Sequence, residues 1–387
     1  MKYLFLVVLT LICFGIVVGC TLLRPHMPSY TPEPFPELDG KAFAALLPWK
    51  EHPDLGSYLI IYDLENLKTV KRIPLEGVSS FLGYCYYWNG KYYFQSIKFD
   101  FGHSWITSRF LGVVNSKDGK VKYLDLGSHG HCTGITQDGK MYILGGFSGK
   151  EEAIIVTVVD AEKDESKVKY YKPSCIAGTF SDLGTNYINP ASGYAYFWEE
   201  YAPQTRILRF RTSDDALEEV YNFGVEIQGI SGAVSEDGKH LYIAINFPNV
   251  LGTATPSILN EQNVLVIIDT EKKNIEKVVD LPSPEWLFGV DIPEKDWGTA
   301  WVAVYKDWVY IPAWREPDVT KGIIFKYNVK TGEFAKIDGE LPAMYSFDII
   351  GDKLVAVTSY GTREKIMVID LETDKILVKD QSMWDQD

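Results

Sequence analysis

Seven tight-turn dipeptides recur along this 387-residue chain: Asp39-Gly40, Asn89-Gly90, Asp138-Gly139, Ser192-Gly193, Asp237-Gly238, Lys306-Asp307 and Gly351-Asp352. Counted from the second residue of each, the spacings are 50, 49, 54, 45, 69 and 45. Asn-Gly and Asp-Gly suit two-residue hairpins because both central residues of that turn need positive φ. A second series of turn residues falls between them, near Asn66, Gly119, Asp164, Asp214, Lys273, Gly332 and Asp374. Two hairpins per period of about 50 residues make four strands per unit, and seven such units predict an all-β, seven-bladed β-propeller of four-stranded antiparallel blades.

Composition agrees with that reading, since Tyr, Phe, Val and Ile dominate the runs between turns. The formal net charge of -14 leaves no basic stripe to follow a phosphate backbone and excludes nucleic acid as a partner class. Blade five shows the unit most clearly, with "GISGAVSEDG", "KHLYIAIN", "NVLVIIDTEKKN" and "IEKVVDLP" in order. The pairs "VLVIIDTEKKNIEKVVDLP" and "IMVIDLETDKILVKD" resemble the repeats of the YVTN and quinoprotein-like β-propellers, a resemblance that extends loosely over residues 41 to 380. It implies fold and carries no functional residue with it.

The N-terminus has a different character. An apolar run from Tyr3 to Gly19 follows Met1-Lys2, as in a signal sequence. It ends in Val17-Val18-Gly19-Cys20, which resembles the lipobox of prokaryotic lipoproteins and implies that Cys20 is lipidated; the alternative is an uncleaved single-span anchor. The expected divisions are a signal peptide over 1–19, a Pro-rich spacer over 20–38, the propeller over 39–381 and a tail over 382–387. Either anchor predicts an extracytoplasmic protein held at a membrane. Pro at alternate positions before Gly40 cannot supply a laddered inner strand, so blade one is expected to have only three regular strands.

Propeller connectivity sorts residues by face. Loops from second to third strand, and connections between blades, emerge together on one connection face, and both turn series emerge on the other. Trp49, Trp105, Trp198 and Trp314 fall at or after second strands and are candidates to stack on a glycan or a protein partner, with Arg315 beside Trp314 to meet an anionic group. Packing between blades is the competing role for those rings. His52, His103, His129 and His131 sort to the same face on three consecutive blades, with Cys132 and Asp100 near; they are the candidate ligands for a divalent metal such as zinc or copper. Solvated loop histidines are the plainer alternative.

The mature-domain cysteines Cys85, Cys132 and Cys175 leave a Cys132–Cys175 disulfide open, and residues 247–262 lengthen one connection in blade five. There is no GxSxG, HExxH, P-loop or CxxCH motif. Three functions follow from these residues: a membrane-tethered binding propeller, a metal-dependent propeller enzyme using His103, His129 and His131, or an envelope scaffold without a small-molecule site.

Overall fold

The computed structural model describes residues 27–38, 40–53, 55–78, 85–100, 105–126, 131–148, 153–171, 193–198, 204–227, 231–246, 250–251, 263–293, 296–299, 301–315, 321–342, 344–358 and 364–384. They form seven antiparallel blades in chain order, most of them four-stranded. Blade seven runs Met344–Ile350, Lys353–Thr358, Lys365–Asp370 and Lys375–Ser382, inner to outer. Blade one has three strands, Ala42–Pro48, Gly56–Asp63 and Lys68–Glu76, as the proline pattern requires. Blade six has an inner strand broken into Trp297–Thr299 and Ala303–Tyr305, both paired to Trp308–Arg315.

The turns carry the repeat. Gly40, Gly90, Gly139, Gly193, Gly238, Lys306 and Gly351 all have positive φ, and so do Leu67, Gly119, Asp164, Asp215, Lys273, Gly332 and Asp374 in the second series. Central strands of the blades are buried on both sides, which is why "VLVIID" reads as a continuous apolar run. In blade five, Leu241, Ile243 and Ile245 pack toward blade four, while Tyr242 and Ala244 pack toward blade six. Successive side chains point to opposite faces of a strand, so each central strand feeds two inter-blade cores. Among the described residues, one apolar cluster fills each of the seven interfaces, including the one between blades seven and one.

Among the described residues, that last interface closes the ring without any exchanged strand. Ala45, Leu47, Ile60 and Tyr62 of blade one meet Val355, Ile366, Val368 and Met383 of blade seven and its extension. The expected tail adds polar fastening, since Thr69 donates to the Met383 carbonyl at 2.9 Å and Arg72 to the Trp384 carbonyl at 2.6 Å.

Residues 27–38, expected to be a spacer, lie against the propeller as a strap in the groove between blades one and two. Met27 is 7% exposed and Phe35 9%. The Phe35 N–H donates to the Ser116 carbonyl at 3.0 Å, Tyr30 donates to the Gly119 carbonyl at 2.8 Å, and Glu33 pairs with Lys71. The prolines keep the segment extended, as the sequence indicates, and its apolar residues supply the docking that composition alone does not reveal.

Candidate functional site

The connection face is built by residues that follow second strands. In blade one the chain turns after Pro48: the Trp49 N–H donates to the Gly56 carbonyl at 3.1 Å, His52 N–H to the Trp49 carbonyl at 3.2 Å, and Leu55 N–H to the His52 carbonyl at 3.0 Å. These bonds hold the Trp49 and His52 rings at 4.9 Å in an edge-to-face arrangement. Both rings are partly exposed. Beside this pair, the neighbouring Lys50 reaches Trp384 from the C-terminus: Lys50 Nζ stands 5.9 Å from its ring centroid and 3.3 Å from Glu364, and Tyr58 packs edge-on against Trp384 at 5.3 Å. The outcome is a lip of two indoles, a phenol, an imidazole and one ammonium at the meeting of blades one and seven. In the sequence Trp384 belongs to the tail, and only the tertiary fold brings it to blade one.

On blade six, Trp314 lies 6.4 Å from Trp301 and, like Arg315, is partly exposed. The neighbouring carboxylates Glu316 and Asp318 lie outside the described residues. Trp105 begins a strand of blade two and pairs with Asp100, and His131 begins the inner strand of blade three and pairs with Leu144; their side chains are outside the description. His103, His129 and Cys175 lie outside it altogether. Among the described residues no group of three or more His, Cys, Asp or Glu comes together as a metal site. The insertion at 247–262 is anchored near its start, where Val250–Leu251 pairs with Glu226–Ile227.

Trp198 has a different place from the one expected at the ligand face. It is 2% exposed and sits with Tyr196, Ile207, Val220 and Ile243 between blades four and five, a core position. Its indole N–H is buried without a hydrogen-bond partner among the described residues. Trp198→Ala is therefore expected to cost about 4 kcal/mol through the lost volume. Trp198→Phe should cost much less than that, because it removes the orphaned donor while keeping most of the ring. Denaturant melts of the two variants check the difference; equal losses would contradict it.

The opposite face carries a repeated polar clasp. At the start of blade three's second strand, Lys140 and Tyr142 donate to Asp215 in the outer turn of blade four, at 3.0 and 2.8 Å, and Lys169 joins them. Blade two repeats this with Lys91 and Tyr93 on Asp164, at 2.9 and 3.4 Å. Between blades six and seven, Lys326 pairs with Asp374. The signal for the first two was in the sequence: Lys-x-Tyr recurs at 91–93 and 140–142, one blade apart.

Among the described residues no such clasp joins blades five and six, where Gly332 occupies the turn position that Asp164, Asp215 and Asp374 hold in blades three, four and seven. A cleft of about 690 Å³ opens there, lined by Asp237, His240, Tyr242, Glu276, Lys277 and Lys330 among others. His240 Nε2 lies 3.1 Å from Glu276. Burial first, then the carboxylates of Asp237, Glu276 and Asp307, push the Tyr242 phenol up to about 12. A Cβ at Gly332 would meet nothing closer than the Tyr327 hydroxyl at 3.9 Å, although at φ +77° any side chain there is strained. Gly332→Asp is expected to offer Tyr242 a carboxylate whose hydrogen bond, worth about 1 kcal/mol, offsets a backbone cost of about the same size and leaves stability nearly unchanged. A thermal melt well below that of the parent protein would contradict the clasp's role, because the strain would then act with no hydrogen bond against it.

Fold and faces together define a seven-bladed β-propeller closed by packing between its first and last blades. No protein-family model matches the chain, and no curated protein matches it. Among solved structures it is similar to the β-propeller domain of the Trilobed protease from Pyrococcus furiosus, described as having an open velcro topology: TM-score 0.53, 14% identity, over 92% of this chain and 95% of that one. It is also similar to the tricorn protease, with TM-score 0.51 and 12% identity over 92% of this chain and 36% of that one. The acylaminoacyl peptidase of Pyrococcus horikoshii gives TM-score 0.51 and 14% identity over 88% and 50%. At these identities the likeness establishes the fold alone.

Proposed function

We propose that this chain is an exported β-propeller, allied to the YVTN and quinoprotein-like repeats, tethered to a membrane through Cys20 and holding a glycan or protein partner on its connection face. The observation that carries the binding part is the lip of Trp49, His52, Tyr58 and Trp384 with Lys50 at its edge. Partly exposed indoles held by backbone hydrogen bonds offer flat apolar area at little entropic cost, which suits stacking on a sugar face or an apolar side chain. The apolar leader and the Val17-Val18-Gly19-Cys20 run support export and tethering.

Titration of the full-length protein with a glycan array, followed by calorimetry on the hits, tests the reading. Binding that disappears in Trp49→Ala, with an unchanged melting temperature, is the expected result. If the array and a crosslinking screen for envelope partners both come back empty, or if Trp49→Ala binds as the parent does, the connection-face lip is not the site and the scaffold role takes its place.

A further inference from the structure

The docked strap fixes where the leader joins the propeller. Met27 Sδ lies against Gly56, the first residue of blade one's middle strand, and Gly56 is paired with Glu76, the last residue of its outer strand. Both strand ends belong to the connection face. From Met27 the strap runs to the other face, where the Glu37 carboxylate sits over Gly90 in a hairpin turn. The chain therefore enters the propeller at the rim of the face that bears Trp49 and His52. Burial of Met27 and Phe35, the Tyr30 and Phe35 hydrogen bonds and the Glu33–Lys71 pair hold that entry point in place.

From Cys20 to Met27 there are seven residue steps, and an extended chain covers at most about 3.6 Å per residue, so this tether reaches no more than about 25 Å. We propose that the connection face of blade one lies against the lipid headgroup surface, with the hairpin-turn face and its cleft between blades five and six directed away from the membrane. This rests on the lipidation reading above. The residues at the entry point suit such a boundary: Trp49, Tyr58 and Trp384 are partly exposed aromatics, and Lys50 extends beside them. A net charge of -14 opposes attraction to anionic lipid, so the tether and the aromatic rim set the orientation. A partner bound at the lip is then one that lies in the bilayer or enters the gap beside it.

Glu51 and Glu65 are exposed residues of the same blade on opposite faces, one in the connection loop and one in the outer turn. The test uses the full-length protein in vesicles of phosphatidylethanolamine and phosphatidylglycerol, carrying a fluorophore at Glu51→Cys or Glu65→Cys and an acceptor on the headgroups. Background labelling of the parent protein is subtracted. A strand of seven residues spans about 23 Å, so transfer at Glu51 is expected to exceed that at Glu65 by about twofold or more. Equal transfer, or stronger transfer at Glu65, overturns the orientation. Flotation in parallel separates the two layers of the proposal: if Cys20→Ala floats as well as the parent, or the parent fails to float, the lipid tether itself is wrong.

Discussion

Phe35→Ala is expected to destabilise the protein by about 3 kcal/mol and to release the strap to proteases. Phe35 packs with Tyr92 at a ring separation of 5.8 Å, inside the cluster shared by blades one and two. Because the described residues give blade one no laddered inner strand beyond Ala42–Pro48, the strap supplies part of the apolar cover that a fourth strand gives in blades such as five and seven. Pro28, Pro32, Pro34 and Pro36 restrict the undocked segment, so ordering it costs less than for an ordinary stretch of the same length. Tyr30→Phe, which removes one hydrogen bond to Gly119, should cost only about 1 kcal/mol. Urea unfolding orders the two variants, and cleavage within residues 27–38, where Tyr30–Thr31 is a bond open to chymotrypsin, should rise in the first at low chymotrypsin or elastase. A Phe35→Ala protein as stable and as resistant as the parent would mean that the strap rests on the surface without contributing to the fold.

Asp215→Ala is expected to cost about 3 kcal/mol, because it removes the carboxylate shared by Lys169 and Lys140 in a partly buried clasp and leaves Lys140 with the Thr212 carbonyl. Both lysines and the Tyr142 hydroxyl converge on this carboxylate, and the Tyr171 hydroxyl donates to its carbonyl at 2.8 Å. Burial pushes the Asp215 carboxyl up, and the hydrogen bonds from Lys169, Tyr142 and Lys140 outweigh it and hold it below the usual range. The folded state thus binds this proton less readily than the unfolded chain. Its stabilisation is complete above the ordinary carboxylate range and is lost as pH falls through the lowered folded value. Asp370 and Asp269 are both held near 2, by Lys353 and by Lys272 first among their partners, so the acid transition of the parent should be spread below pH 4. Asp215→Asn should keep the shape of the clasp, lose part of the stability at pH 7 and show a flatter acid limb. A parallel pH profile for parent and variant would contradict the assignment.

Much of the fold was legible because positive φ selects a small set of residues. Gly90, Gly119, Gly139, Asp164 and Gly332 announce their turns by identity. Leu67, Lys273 and Lys306 adopt the same backbone without the usual residue type, and only the spacing locates those turns. What spacing does not show is which surface a segment meets. The strap reads as a spacer until the absence of side chains at Gly56 and Gly119 is seen to make room for Met27, Tyr30 and Glu33.

The candidate site was legible by face more than by residue. Trp49 and His52 are neighbours in sequence and remain so in space. Trp198 carries no mark that separates it from them, since a strand buried on both sides has no amphipathic pattern to reveal which aromatic is core. Trp384 lay beyond inference because its partners, Tyr58 and Arg72, are more than 300 positions away. The Lys-x-Tyr clasp was present in the sequence as a repeat, yet its purpose depends on an aspartate in the following blade.

Both the proposed partner site and the proposed orientation depend on how the chain is held at the membrane, and the intact mass of the mature protein extracted from membranes in detergent tests this most directly. The account predicts a polypeptide beginning at Cys20 with the added mass of a diacylglyceryl group. A chain retaining Met1, or one starting at Cys20 without lipid and recovered from the soluble fraction, would contradict it.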